Sequence, residues 1–274
     1  MLKTRIITAI VLMIGFLGIL FFASAKAWAL LTLAATLVGI WEWANLIKLH
    51  QTQVKAYFVF ALILGLAFVF APDIDLSQYM EVITLSVLAL AVMFWLLIAP
   101  VLMLNRTNIN HPGIMSLLGL VLLFSTWFGL MGLHRISPWL LLSVLATVWI
   151  ADTAAYFFGK RYGRIKLAPK ISPGKTWEGV AGALFTVTLY GAALCIIFDI
   201  NVWLIIGLWL IVVLSIMGDL FESLLKRQAG IKDSGQLLPG HGGLLDRIDG
   251  LIPSLALTLF YIYFPLFTKL PLHA

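Results

Sequence analysis

The chain reads as an all-α, polytopic membrane protein with about nine transmembrane helices, the N-terminus cytoplasmic and the C-terminus outside. Composition is the first of three observations behind this. Of 274 residues, 62% are hydrophobic and only 11% charged, and the mean hydropathy is +1.05, which leaves too little polar surface for a soluble domain. Segmentation is the second. A span needs about 20 mostly apolar residues, and such runs fall at 5–24, 27–47, 55–71, 80–104, 113–133, 138–158, 174–198, 202–227 and 250–268. Charge is the third, because cytoplasmic loops collect Lys and Arg. With the N-terminus inside, Lys3, Arg5, Lys48, Lys55, Arg106, Lys160, Arg161, Arg164, Lys166, Lys170, Lys175, Lys226, Arg227, Lys232 and Arg247 fall inside, and only Lys26, Arg135 and Lys269 fall outside. Losing one middle span would scramble that parity.

The elements follow in order. Lys3 and Arg5 before an apolar run ending Ala23-Ser24-Ala25 imitate a secretory signal, but a stretch of about 19 residues exceeds the roughly 7–15 of a signal's apolar region, so an uncleaved first helix is expected. Segment two carries Glu42 between Trp41 and Trp43; lining a cavity and packing are both open to it. Segment three is the shortest. The joints at Ala71-Pro72-Asp73-Ile74-Asp75, His111-Pro112-Gly113 and Ser137-Pro138 carry helix breakers or charge. Trp28, Trp139 and Trp203 open outer-side segments and Trp177 an inner-side one, as aromatic belts do. Cys195 is alone in an apolar run, which excludes an intrachain disulfide or cysteine-rich zinc site. Basic residues flank apolar segments and form no stripe with aromatics, so no nucleic-acid partner is expected. With no repeat or linker, residues 1–274 form a single integral membrane domain, and the chemistry-bearing half is approximately 150–252.

Five of the twelve carboxylates, Asp219, Glu222, Asp233, Asp246 and Asp249, lie between 219 and 249. At a rise of about 1.5 Å per residue, Asp219 sits about 10 Å deeper than the Lys226-Arg227 end of its segment, and Asp152 about 12 Å from Lys160. Glu178 stands roughly one turn beyond Lys175. Each such group costs about 2.5–3.5 kcal/mol at a helix centre, so it faces a polar cavity, a partner or a metal. Asp219, Glu222, Ser223 and Lys226 share one helical stripe; a polar clamp between helices is the structural alternative.

Lys160, Arg161, Arg164, Lys166 and Lys170 gather cations at the inner surface, which topology alone also explains. Next, Ser172 reads as an N-cap and Pro173 as a first helical residue, so backbone N–H groups, Lys175 and Thr176 meet at one helix N-terminus suited to an anion. Gly174-Lys175-Thr176 lacks the glycine and preceding strand of a P-loop. Gly240, Gly242 and Gly243 let backbone approach a ligand, Asp246 and Asp249 share one face, and Arg247 can fork onto a phosphate. His241 either transfers a proton or contacts phosphate, or merely fixes its loop. Mg²⁺ held by one or two carboxylates plus substrate phosphates suits Asp219 with Asp246 or Asp249.

The order Ser223-x-x-Lys226-Arg227, Lys232-Asp233, Pro239-Gly240-His241-Gly242-Gly243, Asp246-Arg247-x-Asp249 matches thirteen positions at fixed spacing. It resembles the C-terminal signature of the bacterial CDP-diacylglycerol synthases, the phosphatidate cytidylyltransferases. Ser172-Pro173-x-Lys175-Thr176-x-Glu178-Gly179 resembles their upstream motif. The resemblance implies that CTP and phosphatidate give CDP-diacylglycerol and pyrophosphate with Mg²⁺, two divalent ions being expected. It places Asp219, Glu222, Asp246 and Asp249 at metal and Lys175, Lys226 and Arg247 on phosphates. Ser172, Thr176, Ser223, Arg227, His241, Gly242 and Gly243 complete the substrate contacts. It further implies an enzyme of the bacterial inner membrane facing the cytoplasm, with CTP, phosphatidate and membrane lipid as partners; a homodimer is left open. A CTP-dependent lipid-alcohol kinase would use similar apparatus but transfer the γ-phosphoryl group, and intramembrane acids also mark ion or phosphate transporters.

Overall fold

The computed structural model describes residues 13–70, 77–109, 111–235 and 242–264. Outside them lie Lys3, Arg5, the joint at 71–75, Lys269 and the Pro239-Gly240-His241 part of the loop motif. The helices are α1 (Met13–Phe22), α2 (Ala25–Leu46), α3 (Gln51–Phe70), α4 (Ser77–Met93), α5 (Ala99–Asn105), α6 (Pro112–Ile136) and α7 (Pro138–Tyr162), then α8 (Trp177–Phe198), α9 (Trp203–Ala229), α10 (Leu245–Ile248) and α11 (Leu251–Tyr263). Among the described residues, seven helices are long and apolar enough to cross a membrane, with Tyr79–Asn105 counted as one, while Met13–Phe22 and Leu251–Tyr263 are shorter apolar helices. Large apolar side chains such as Leu104 and Ile196 are 80% and 82% exposed, a surface that lipid tolerates and water does not.

Local chemistry sets the helix boundaries. Ser24 Oγ accepts the Ala27 N–H at 3.2 Å to open α2, and Pro112 and Pro138 occupy the first turns of α6 and α7, where a missing N–H is harmless. Gly230 closes α9 in the left-handed region at φ 74°. Between α4 and α5, Phe94–Ile98 forms a π turn in which the Ala99 N–H reaches Phe94 O. Pro100, just after it, has no N–H and crowds the carbonyl four residues earlier, and the wider turn relieves that clash.

Polar handles on apolar bodies hold the core together. Trp127 Nε1 donates to Ala29 O at 3.1 Å, Trp28 Nε1 to Leu130 O at 3.1 Å and Trp43 Nε1 to Met115 O at 2.9 Å. These bonds join α2 to α6, and Tyr57 OH adds α3 by donating to Ser116 O at 2.7 Å. An indole N–H withdrawn from water loses free energy unless it finds such an acceptor, and Trp95 Nε1 is buried here without one. Phe94 and Trp95 pack on Phe221 of α9 with ring centroids 5.2 and 5.5 Å apart, seating the π turn beside the polar stripe of that helix.

The region before α8 departs from the all-helical expectation. Lys166–Ala168 (β1) and Ser172–Thr176 (β2) form a small antiparallel hairpin pairing Lys166 with Thr176 and Ala168 with Ser172. Ser172 is therefore not the N-cap, and Pro173 is not helical. A residue before proline favours extended backbone, and that preference runs on to Thr176. Thr176 takes the cap, its Oγ1 accepting the Gly179 N–H at 3.2 Å. Glu178 braces the junction by accepting the Ile165 N–H at 3.1 Å.

Gly129 lets α6 approach α11: a Cβ there would meet Leu255 Cβ at 2.8 Å and Leu255 O at 3.0 Å. Close backbone approach at small residues is how membrane helices pack. Gly129→Val is expected to destabilise the protein by about 1–3 kcal/mol through overpacking, seen as a lower unfolding temperature in detergent; an unchanged midpoint would contradict this packing.

Candidate active site

Helical periodicity lines up Asp219, Glu222, Ser223 and Lys226 on α9, and neighbouring elements supply what each lacks. Lys175 of β2 brings Nζ to 2.6 Å from Asp219 Oδ2, and Ser223 Oγ donates to Asp219 Oδ1 at 3.2 Å. Lys226 Nζ donates to Glu222 Oε2 at 3.1 Å and to Asp246 Oδ1 at 2.5 Å. One ammonium thus ties α9 to α10, and a second ties α9 to the hairpin.

Asp246 is further held by backbone. Its Oδ2 accepts the N–H groups of Ser234 and Gly243, both at 2.9 Å, and the Ser234 hydroxyl at 3.0 Å. Gly242 makes this turn at φ 81°, a conformation that side chains disfavour. Burial pushes the Asp246 carboxyl up, but the Lys226 hydrogen bond and the two N–H donors outweigh it and hold the group below its usual range. Asp249 moves the other way: burial, then the charges of Asp219 and Glu222, push it well above the ordinary carboxylate range.

Glu42 of α2 belongs to the same cluster, although the sequence leaves its role open. It is 4% exposed. Its Oε1 accepts the Leu244 N–H at 2.9 Å, and its Oε2 accepts the Leu245 N–H at 2.8 Å and the Ser234 hydroxyl at 3.3 Å. The signal was present: a lone carboxylate deep in an apolar helix needs partners. Those partners lie 192 to 203 residues away in sequence, beyond any local pattern. Asp152, which like Glu178 the sequence leaves without a role, accepts from Ser215 Oγ of α9 at 3.3 Å.

The remaining expected residues are placed less uniformly. Thr176 is 4% exposed and engaged as the α8 cap, not as an open hydroxyl, and Ser172 lies on β2. Arg227 and Arg247 are exposed, Arg247 on α10 beside Asp246. His241 lies outside the described residues. Among the described residues, no three His, Cys, Asp or Glu side chains are grouped to hold a metal ion, so the four expected ligands do not form one preformed cage; Asp246 is turned to Lys226, Ser234 and Gly243. Two observations nonetheless fit a hard cation in this donor set. Glu222 lies within hydrogen-bonding reach of the Asp249 carboxyl and keeps a buried Oε1 that no N–H or O–H donor meets, and Asp249, besides being buried, is crowded by the charges of Asp219 and Glu222, which a bound cation would relieve. Mg²⁺ characteristically takes one or two carboxylates and completes its shell with water and substrate phosphates.

Fold and site together define an integral membrane protein with an acid-and-lysine centre where α9, α10 and a hairpin meet. The chain belongs to the cytidylyltransferase family, whose family model matches residues 3–267. It is 38% identical to the phosphatidate cytidylyltransferase of Pseudomonas aeruginosa, over 92% of this chain and 93% of that protein. It is 35% identical to that of Haemophilus influenzae, over 97% and 100%, and 35% identical to that of Staphylococcus aureus, over 91% and 95%.

Removing one partner from a buried ion pair strands the other. Lys226→Met, which leaves Glu222 and Asp246 facing each other, is expected to destabilise the protein by about 3–5 kcal/mol. Arg227→Met, on the exposed side, should stay within about 0.5 kcal/mol. Unfolding of both variants in detergent measures the contrast, and equal effects would deny Lys226 its bridging role.

Proposed function

We propose that this site transfers the cytidylyl group of CTP to phosphatidate, giving CDP-diacylglycerol and pyrophosphate. The observation that carries the reading is the upstream motif reaching the helix that bears the C-terminal signature: Lys175 lies 2.6 Å from Asp219, one turn before Ser223 on α9, while within the signature Lys226 of α9 reaches Asp246 of α10 at 2.5 Å. The similarity to bacterial phosphatidate cytidylyltransferases over more than nine-tenths of the chain supports it.

A phosphate oxygen of phosphatidate attacks the α-phosphorus of CTP, one P–O bond forms, and the bond to the pyrophosphate oxygen breaks in line. The nucleophile is already anionic, so no covalent enzyme intermediate is required. Lys175, Lys226 and Arg247 place positive charge where the phosphates lie, and Asp219, Glu222 and Asp246 orient the two lysines. Positioning and charge neutralisation account for most of the rate in phosphoryl-type transfers. Mg²⁺, held by Asp219, Glu222 and Asp249 with Asp246 at the edge of the set, would supply charge neutralisation on the phosphates when bound.

The topology in this reading has about nine spans, the N-terminus inside and the C-terminus outside. Fifteen of eighteen cations then face the cytoplasm, as positive-inside sorting favours. CTP enters from that side of a bacterial inner membrane, and the acyl chains of phosphatidate stay in lipid.

CTP labelled separately at the α and γ phosphates, supplied with Mg²⁺ and phosphatidate to purified protein, tests the reaction. α-Label in lipid with release of pyrophosphate is expected; γ-label in lipid would identify a kinase, and uptake into proteoliposomes without nucleotide turnover a transporter. Asp219→Asn and Asp246→Asn should each lower turnover by at least about 100-fold in folded protein, and either variant retaining full activity would remove that residue from the mechanism.

A further inference from the structure

Glu42 is the one acid of α2, and it comes from the half of the chain in which no signature residue lies. Both of its oxygens are engaged. Oε1 takes the Leu244 N–H at 2.9 Å, and Oε2 takes the Leu245 N–H at 2.8 Å and the Ser234 hydroxyl at 3.3 Å. These contacts sit on both sides of the loop that returns the chain to Asp246. Ser234 Oγ also lies 3.0 Å from Asp246 Oδ2, so its single hydrogen stands between two carboxylates. The surroundings are shaped around Glu42. A Cβ on Gly235 would meet Glu42 Oε1 at 2.5 Å, and one on Gly243 would meet Glu42 Oε2 at 2.7 Å. Leu245, 1% exposed, packs beside Gly39 one turn earlier on α2.

We propose that Glu42 is a positioning residue of the active site: from α2 it fixes Ser234 and the 243–245 backbone so that Asp246 faces Lys226. Hydrogen bonds to an ionised acceptor are about twice as strong as neutral ones, and a carboxylate is the only side chain that offers two acceptors and no donor to two adjacent N–H groups. Glutamine has the same shape but would turn an NH₂ toward one of them. That would free one end of the loop, and Asp246, one bond beyond Ser234, would lose its fixed direction. The amide groups of residues 243 to 246 should then open locally, while α6 and α11 stay closed.

The kinetic half of the test rests on the cytidylyl-transfer reading; the exchange half does not. Hydrogen exchange on the full chain in detergent is expected to show amides 243–246 of Glu42→Gln exchanging about tenfold faster, with α6 amides unchanged. The same variant should lose about tenfold in kcat per folded molecule while the KM for CTP changes little. A residue that only stabilised the bundle would speed exchange throughout α6 and α11 and leave kcat per folded molecule intact, which would overturn the proposal. Unchanged exchange at 243–246 would overturn it equally. If Glu42→Gln does not fold, Ser234→Ala is read in its place: exchange at 243–246 faster by about threefold supports the clamp, and wild-type exchange refutes it. Should the wild-type protein transfer no cytidylyl group, the reaction assignment falls and the exchange result alone decides the clamp.

Discussion

A carboxylate withdrawn from water needs a cation or hydrogen-bond donors close by, and the end of α9 is organised around that need. Asp219 meets Lys175, and Glu222 and Asp246 share Lys226. Asp152 meets a hydroxyl, and Glu42 meets two backbone N–H groups and a third donor. Apart from Glu222 with Lys226, one turn apart on α9, each pairing crosses from one element to another. α2, α7, α9, α10 and the hairpin are therefore held together at this point by charge, whereas elsewhere they are held by apolar packing and indole-to-carbonyl bonds.

The two kinds of adhesion explain what could be read from sequence. Helix positions were largely legible because lipid imposes long apolar runs and prolines mark their ends: α6 begins at Pro112 and α7 at Pro138, within a residue of the expected starts. The α9 stripe was legible for the same reason, since 3.6-residue periodicity is local. The hairpin was not. Strands of three and five residues are too short for a period-two pattern, and Ser172-Pro173 signals a helix start and an extended pair equally well. Thr176 won because its hydroxyl stands at the right distance from Gly179 once the strand runs through it. The π turn was hidden too, for a proline inside an apolar run tells of a lost hydrogen bond but not of how the helix repairs it.

Glu42 marks a third limit. Nothing local distinguishes a carboxylate that lines a cavity from one that grips a distant loop, because both are lone acids in apolar helices. The distinction lies in the accepting geometry: backbone N–H groups on both oxygens leave little for a ligand, whereas Glu222 keeps Oε1 buried and unpartnered. Two acids equally conspicuous in sequence thus differ in what they can still bind. Glu42 spends both oxygens on the loop, and Glu222 keeps one oxygen without a donor.

Charge balance links the frame to the chemistry. Asp152, Asp219, Glu222, Asp246 and Asp249 gather around two ammonium groups, Lys175 and Lys226, and Asp249 is raised by burial first and then by the charges of Asp219 and Glu222. In the proposed reaction a triphosphate and a lipid phosphate would add further negative charge to this centre. Substrate phosphates and carboxylates would therefore compete for the same two lysines, and a transferable arrangement needs additional positive charge arriving with the nucleotide. Divalent cations carried in on the phosphates would meet that need in the proposed reaction, with Asp219, Glu222 and Asp249 as their protein contacts. Among the described residues the carboxylates form no group of three ready to hold a metal; Lys175 and Lys226 instead keep Asp219, Glu222 and Asp246 partnered.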